Sequence, residues 1–207
     1  MPLEAGGVRA AAPAVDPAHP LGVRVTHWLH TGLFVLLCVS GVAILLAHPR
    51  LYWGEVGNIE TPSLVDLPLP TLLTGQSGWG RSLHFLSAWL FVFTGAGYVV
   101  PALRRGGIAA AAHYGWLQRR AYVGVVLGLA PAMVATGLAM SPALAAVWPW
   151  LVGGFGGQQS ARTLHFAGAC LLVLFAAGHV LMVWRAGFVR QMTAMTVGRP
   201  RRRVVAG

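Results

Sequence analysis

Charge is scarce in this chain, and what there is has one dominant sign. Only 10% of the 207 residues are charged, against about a quarter in a soluble globule. Lysine is absent: all 15 basic residues are arginine, five acids oppose them, and the formal charge is +10. Cysteine is nearly absent too. Cys38 and Cys170 both lie inside apolar runs, and no CxxC or CxxCH occurs. That excludes zinc ribbons, thioredoxin chemistry, iron-sulfur clusters held by this chain and covalently attached haem c. The two thiols read as small packing residues. A nucleic-acid-binding domain would spread its arginines along a solvated face, whereas these stand at the edges of long apolar runs. The expected surroundings are membrane lipid, and no nucleic acid partner is expected.

What is abundant is hydrocarbon: 56% hydrophobic residues and a mean hydropathy of +0.65. Four runs free of charge stand out, VTHWLHTGLFVLLCVSGVAILLAHP after Arg24, SLHFLSAWLFVFTGAGYVVPAL after Arg81, AYVGVVLGLAPAMVATGLAMSPAL after Arg120 and TLHFAGACLLVLFAAGHVLMVW after Arg162. Each supplies the roughly 20 residues that a helix needs to cross about 30 Å of hydrocarbon, while barrel strands would alternate over about ten. The fold class expected is an all-α integral membrane four-helix bundle, with spans near residues 24–46, 81–103, 119–140 and 162–186. Pro131 should kink the third span.

Residues 1–20 are rich in Ala, Pro and Gly and read as a disordered cytoplasmic leader, 21–190 as the transmembrane domain and 191–207 as a basic cytoplasmic tail. Arg9 and Arg24, then Arg104, Arg105, Arg119 and Arg120, then the arginines from 185 onward mark the N-terminus, the middle loop and the C-terminus as cytoplasmic by the positive-inside rule. The opposite side receives residues 47–80 and 141–161. The first of these loops holds Glu55, Glu60 and Asp66, every acid beyond the leader. Loops of that length in compact domains are mostly functional; a plain connector is the alternative.

Histidine inside a membrane is costly and marks function by default, although a single one can serve as a hydrogen bond between helices. Five of the eight histidines lie in or near spans: His27, His30, His84, His165 and His179. With spans running out, in, out, in, His84 and His165 each sit three residues inside an outer arginine, at one depth. His179 follows His165 by fourteen residues, about 21 Å of rise and close to four turns, so both face one way. His179 then shares the inner level of His27, three residues past Arg24. The expected pairs are His84 with His165 outside and His27 with His179 inside; His30, one turn on, competes with His27. Two imidazoles on opposite helices at one depth suit a six-coordinate haem b, whose axial nitrogens come from opposite faces. Zinc would want a third or fourth nearby ligand.

Arg24-Val-Thr-His27, Arg81-Ser-Leu-His84 and Arg162-Thr-Leu-His165 all read R-x-x-H. Residues three apart share a helix face, so each arginine is placed to pair with haem propionates. For Arg24 snorkelling to the inner surface is an equal explanation. Arg81 and Arg162 stand on the disfavoured outer side, which an anionic haem edge explains. Trp28, Trp89, Trp116, Trp148, Trp150 and Trp184 read as belt residues. Gly41, Gly95, Gly97, Gly168 and Gly178 permit close helix approach or clear room for a flat macrocycle.

Over about residues 20–190 the chain resembles the four-helix di-haem b-type cytochromes that serve as membrane subunits of nickel-iron hydrogenases, formate dehydrogenases and thiosulfate reductases. The likeness rests on RVTHWLH, RSLHFLSAWLFVF, HYGWLQRRAY, TGLAMSP and the separation of His165 from His179. HPRLYWGE looks like the branch found with periplasmic molybdopterin oxidoreductases. The resemblance implies a bacterial inner-membrane protein that carries electrons through two haems b between a periplasmic redox subunit, docking on loop 47–80, and the quinone pool. It implies the same histidine pairs, with quinone exchanging near the inner haem. There the family's Y-N-x-x-Q corresponds to Tyr114-Gly115-Trp116-Leu117-Gln118. Gln118 carries over, as a quinone contact or as a polar interfacial residue; Gly115 departs from the pattern.

Two further readings stand beside it. A stand-alone quinone-linked oxidoreductase, taking electrons from a small donor such as superoxide, would expose its outer haem edge within a positive rim, as Arg81 and Arg162 suggest. A partner-docking subunit would instead present Leu51, Tyr52 and Trp53. A haem-free transporter would gather its polar groups at the midplane, and these histidines lie near the surfaces.

Overall fold

Four long helices answer the four apolar runs. The computed structural model describes residues 19–71, 78–104 and 116–198. The leader before residue 19, Arg105, His113 to Gly115 and the tail beyond 198 lie outside the described residues, as do the side chains of 102 and 117–119. Helix α1 spans Leu21–Ala47, α2 Trp79–Arg104 and α7 Gln158–Arg185. The third span is built in pieces: α3 Trp116–Gly124, a π-helical turn Val125–Leu129 and α4 Ala130–Ala139. Short helices α5 Pro142–Val147 and α6 Pro149–Gly154 follow, and α8 Phe188–Thr196 comes after the fourth span. Stretches Leu21–Ala47, Trp79–Pro101, Arg120–Ala139 and Gln158–Arg185 are each long and apolar enough to cross a bilayer.

Helices form here because hydrocarbon offers no partner to a backbone N–H or C=O, so each segment must satisfy its own. Pro131 breaks that rule locally, since it lacks an N–H and its ring crowds the carbonyl four residues back. The disturbance takes the form of the π-turn just before it, where the Ala130 N–H reaches the Val125 carbonyl, as wide turns inside helices do. Both short helices α5 and α6 begin with proline, where the missing N–H costs nothing.

Packing is inside out relative to a soluble protein. Ser40, Ser87 and Ser160 are fully buried, while Leu36, Val39, Phe93, Leu174 and Val180 are exposed. In water such a surface would be an aggregation patch; in lipid it is the contact surface, and small residues belong between helices. A Cβ added to Gly168 would come within 2.5 Å of the Met133 sulfur, so α7 and α4 meet closely at that glycine. Trp28, Trp89, Trp116, Trp148, Trp150 and Trp184 are all exposed.

The chain divides into two compact units, Thr26–His179 and, flanking it, Met1–Val25 with Val180–Gly207. Within the flanking unit the Arg24 guanidinium donates to the Thr196 carbonyl at 2.8 Å. That places a cation at the negative end of α8, the favourable sign for a helix C-terminus.

Within Thr26–His179 the loop between the first two spans is ordered where described. Arg50–Leu51 (β1) and Val65–Asp66 (β2) pair antiparallel, tied at the surface by an Arg50–Asp66 ion pair of 3.0 Å. The loop is bolted to the start of α7. Gly54 N–H donates to Ser160 Oγ at 2.7 Å, the Gly54 carbonyl accepts from the Gln159 and Ser160 amides, and Thr163 Oγ1 donates to the Tyr52 carbonyl at 2.7 Å. Arg162 adds two bonds, from its guanidinium to the carbonyls of Arg50 at 3.1 Å and of His48. This corrects one expectation. Leu51 and Tyr52 are only 2% and 7% exposed, so they pin the loop down and cannot present themselves to another chain. Trp53, at 58% exposed, does face outward.

The bolt depends on a backbone crossing at Gly157. Its φ of +113° is a glycine conformation, and a Cβ there would run into the Gly54 carbonyl group. Gly157→Ala is therefore expected to cost at least about 1–3 kcal/mol of local backbone strain and to detach the hairpin. Limited proteolysis in detergent should cut residues 47–66 faster than in the parent; an unchanged rate would contradict the bolt.

Candidate functional site

Four of the intramembrane histidines meet in two pairs. At one level His84, on the first turns of α2, faces His165 of α7, with ring centroids 6.2 Å apart and planes at 65°. At the other level His27 of α1 faces His179 of α7, at 6.3 Å and 51°. These are the partners that depth alone suggested. The two members contributed by α7 are fourteen residues apart, about 21 Å along the helix.

The spacing has a chemical meaning. Imidazoles in direct contact would stack closer or share a hydrogen bond. Two imidazoles ligating one first-row metal ion from opposite sides, at about 2.0 Å per bond, set their centroids about 6.3 Å apart. Both pairs match that figure. Among the described residues no three His, Cys, Asp or Glu side chains converge as a metal cage, so each pair offers two nitrogen ligands, the number that a planar macrocycle leaves open. The residues present therefore fit a bis-imidazole haem at each level.

His30 does not share in either pair. Its Nδ1 lies 2.8 Å from the Thr26 carbonyl, its Nε2 lies 3.3 Å from the Phe91 carbonyl on α2, and the Phe91 ring meets it edge-on at 4.6 Å. A Cβ on Gly95 would stand 3.3 Å from that Nε2. His30 ties α1 to α2, which leaves His27 as the first-span member opposite His179. His19 and His48 lie outside the pairs.

Three hydroxyl groups that sequence reasoning missed complete the surroundings. Ser40 Oγ of α1 is 3.0 Å from His84 Nδ1, Thr136 Oγ1 of α4 is 2.9 Å from His165 Nδ1, and the Tyr122 phenol of α3 is 2.8 Å from His179 Nδ1. Phe175, one turn before His179, stacks near its ring at 6.5 Å and 17° and meets Tyr122 edge-on. Depth was the available signal for Tyr122, which lies two residues inside Arg120 as His179 lies six inside Arg185. Serine and threonine in a span carry no such signal, because they also bond back to their own helix.

The arginines divide. Arg81 is exposed on the opening turn of α2. Arg162 is occupied with the outer-loop carbonyls of His48 and Arg50, and Arg24 with Thr196. Gln118 falls in α3, its side chain outside the described residues. Among the glycines, Gly41 lies against His84, its added Cβ 3.6 Å from Cε1, while Gly97 and Gly178 border open space.

The chain is 28% identical over 191 residues, 80% of its length and 89% of the relative's, to a protein of Azospira oryzae described as a putative protein-methionine-sulfoxide reductase subunit YedZ1. No solved structure matches it. The sequence model of the prokaryotic cytochrome b561 family matches residues 18–198, and the chain belongs to that family of multi-pass bacterial membrane proteins, which carry electrons through haem b.

Proposed function

We propose that this cytochrome holds two haems b and passes electrons across the inner membrane between a periplasmic oxidoreductase subunit and the quinone pool. His84 and His165 would hold the outer haem, His27 and His179 the inner one. The observation that carries the reading is the spacing of the two pairs, 6.2 and 6.3 Å between centroids, which bis-imidazole ligation requires and direct contact does not. A bound haem supplies reversible one-electron chemistry at iron, tuned by its ligands and by burial.

The chain's own residues do the rest. α7 spans the bilayer and supplies one ligand at each level, so a single rigid helix sets the distance between the centres. Apolar walls keep water from the middle of that path, while Arg81 at the outer rim offers its guanidinium group to haem carboxylates. Arg162, engaged with the loop, contributes by fastening the hairpin over the outer pair's helix. At the inner end Gln118 and the segment opening the third span are assigned to quinone.

A partner subunit on the outer side is supported by the bolted hairpin, by the outward Trp53, and by the relative's description as a reductase subunit. A sulfite-oxidase-like molybdopterin protein is the partner that HPRLYWGE suggests. A stand-alone enzyme with a positive outer rim is less well supported, since Arg162 spends its guanidinium on backbone carbonyls. The arginine distribution assigns both termini to the cytoplasm.

Purified protein is expected to show two haems b per chain by pyridine haemochrome, both reducible by a quinol. Alanine at any one of His27, His84, His165 or His179 should remove one of the two, whereas His30→Ala should remove neither. Retention of both haems in His179→Ala, or loss of one in His30→Ala, would contradict the assignment. For topology, green fluorescent protein fused after residue 207 should fluoresce, and alkaline phosphatase fused after residue 60 should be active; the reverse pattern would invert the orientation.

A further inference from the structure

The outer pair is seated by the same two-residue device used twice. Ser40-Gly41 on α1 faces His84, and Thr136-Gly137 on α4 faces His165. In each case the hydroxyl meets Nδ1 and the glycine admits the ring edge: a Cβ would stand 3.6 Å from Cε1 of His84 at Gly41, and 3.5 Å from Cε1 of His165 at Gly137.

Counting protons decides which way these hydrogen bonds run. A hydroxyl has one proton and two lone pairs. Ser40 places its proton on the Leu36 carbonyl at 2.6 Å, and Thr136 places its own on the Ala132 carbonyl at 2.8 Å. Each oxygen is left to accept, so the imidazole Nδ1–H is the donor. With the proton held on Nδ1, Nε2 keeps a bare lone pair, the form that ligates a metal. Ser40 is 0% and Thr136 4% exposed, so no bulk water competes for the bond.

We propose that Ser40-Gly41 and Thr136-Gly137 are matched seats that fix the tautomer and ring plane of His84 and His165 and set the redox potential of the outer centre apart from that of the inner one. The inference rests on the reading of His84 and His165 as haem ligands. A ligand histidine that donates its second N–H becomes a stronger base at the other nitrogen, which stabilises oxidised iron and lowers its potential. Both outer ligands have an aliphatic hydroxyl of this kind, whereas His179 of the inner pair meets a phenol. Ser40 and Thr136 act through the histidines and are positioning residues.

The test uses the full-length protein in detergent, beginning with the parent. Its haem count and the His84→Ala variant establish whether an outer haem exists; a missing outer haem sinks the functional reading before any seat is altered. Potentiometric titration and low-temperature EPR are then compared for Ser40→Ala, Thr136→Val and Thr136→Ser. The expected result is a more positive midpoint for the outer haem alone in Ser40→Ala and Thr136→Val. One low-spin signal should shift its g values as that ring turns, and Thr136→Ser should restore the parent values. Loss of only the outer haem from Thr136→Val, with its retention in Thr136→Ser, supports the seat equally. Unchanged midpoint and g values in both Ser40→Ala and Thr136→Val, or a shift confined to the inner haem, would overturn it.

Discussion

An imidazole in hydrocarbon must have both nitrogens answered, because an unanswered polar group there costs several kcal/mol. That constraint organises the protein. His84, His165 and His179 each turn one nitrogen to a hydroxyl from a neighbouring helix, which directs the rest of the ring at its partner across about 6 Å, the separation of two ligands on one metal ion. His30 is placed differently, its Nδ1 toward the Thr26 carbonyl and its Nε2 toward the Phe91 carbonyl and Thr94 Oγ1 of α2. The contrast sets His84, His165 and His179, each with a hydroxyl at Nδ1, apart from His30.

Hydrogen bonds between helices in a bilayer contribute only about 0.6 to 2 kcal/mol each. Three of them do not hold a bundle together; the close approach of small residues, as at Gly168 beside Met133, carries more of that work. Their effect is orientation. A ring free to rotate would lose its facing partner well before the helices separated, so small residues set the ring geometry while large ones face lipid. In the loop between the first two spans the same division recurs: Leu51 and Tyr52 are buried as fasteners, and Gly54 and Gly157 supply the backbone crossing.

Much of this was legible along the chain. The four spans were, because hydrophobic length is a one-dimensional property. So was the pairing of His27 with His179 and of His84 with His165, since depth follows from counting residues inward from an arginine. What lay beyond reach were properties of two helices at once. Ser40, Thr136 and Tyr122 gain their meaning from the face a neighbouring helix turns to them. Pro131 announced a disturbance but not its form as a π-turn. Leu51 and Tyr52 looked like a partner surface because a loop sequence records apolarity without direction, and nothing in R-x-x-H, read as a propionate partner, reveals that Arg162 also donates to two loop carbonyls.

The central claim is that both histidine pairs are metal centres of one kind, and iron K-edge X-ray absorption on the purified protein, with iron quantified per polypeptide, tests it most directly. The account predicts two irons per chain, six-coordinate, with nitrogen alone in the first shell and the outer-shell scattering of two imidazoles each. One iron or none, or an axial sulfur or oxygen at either centre, would contradict it.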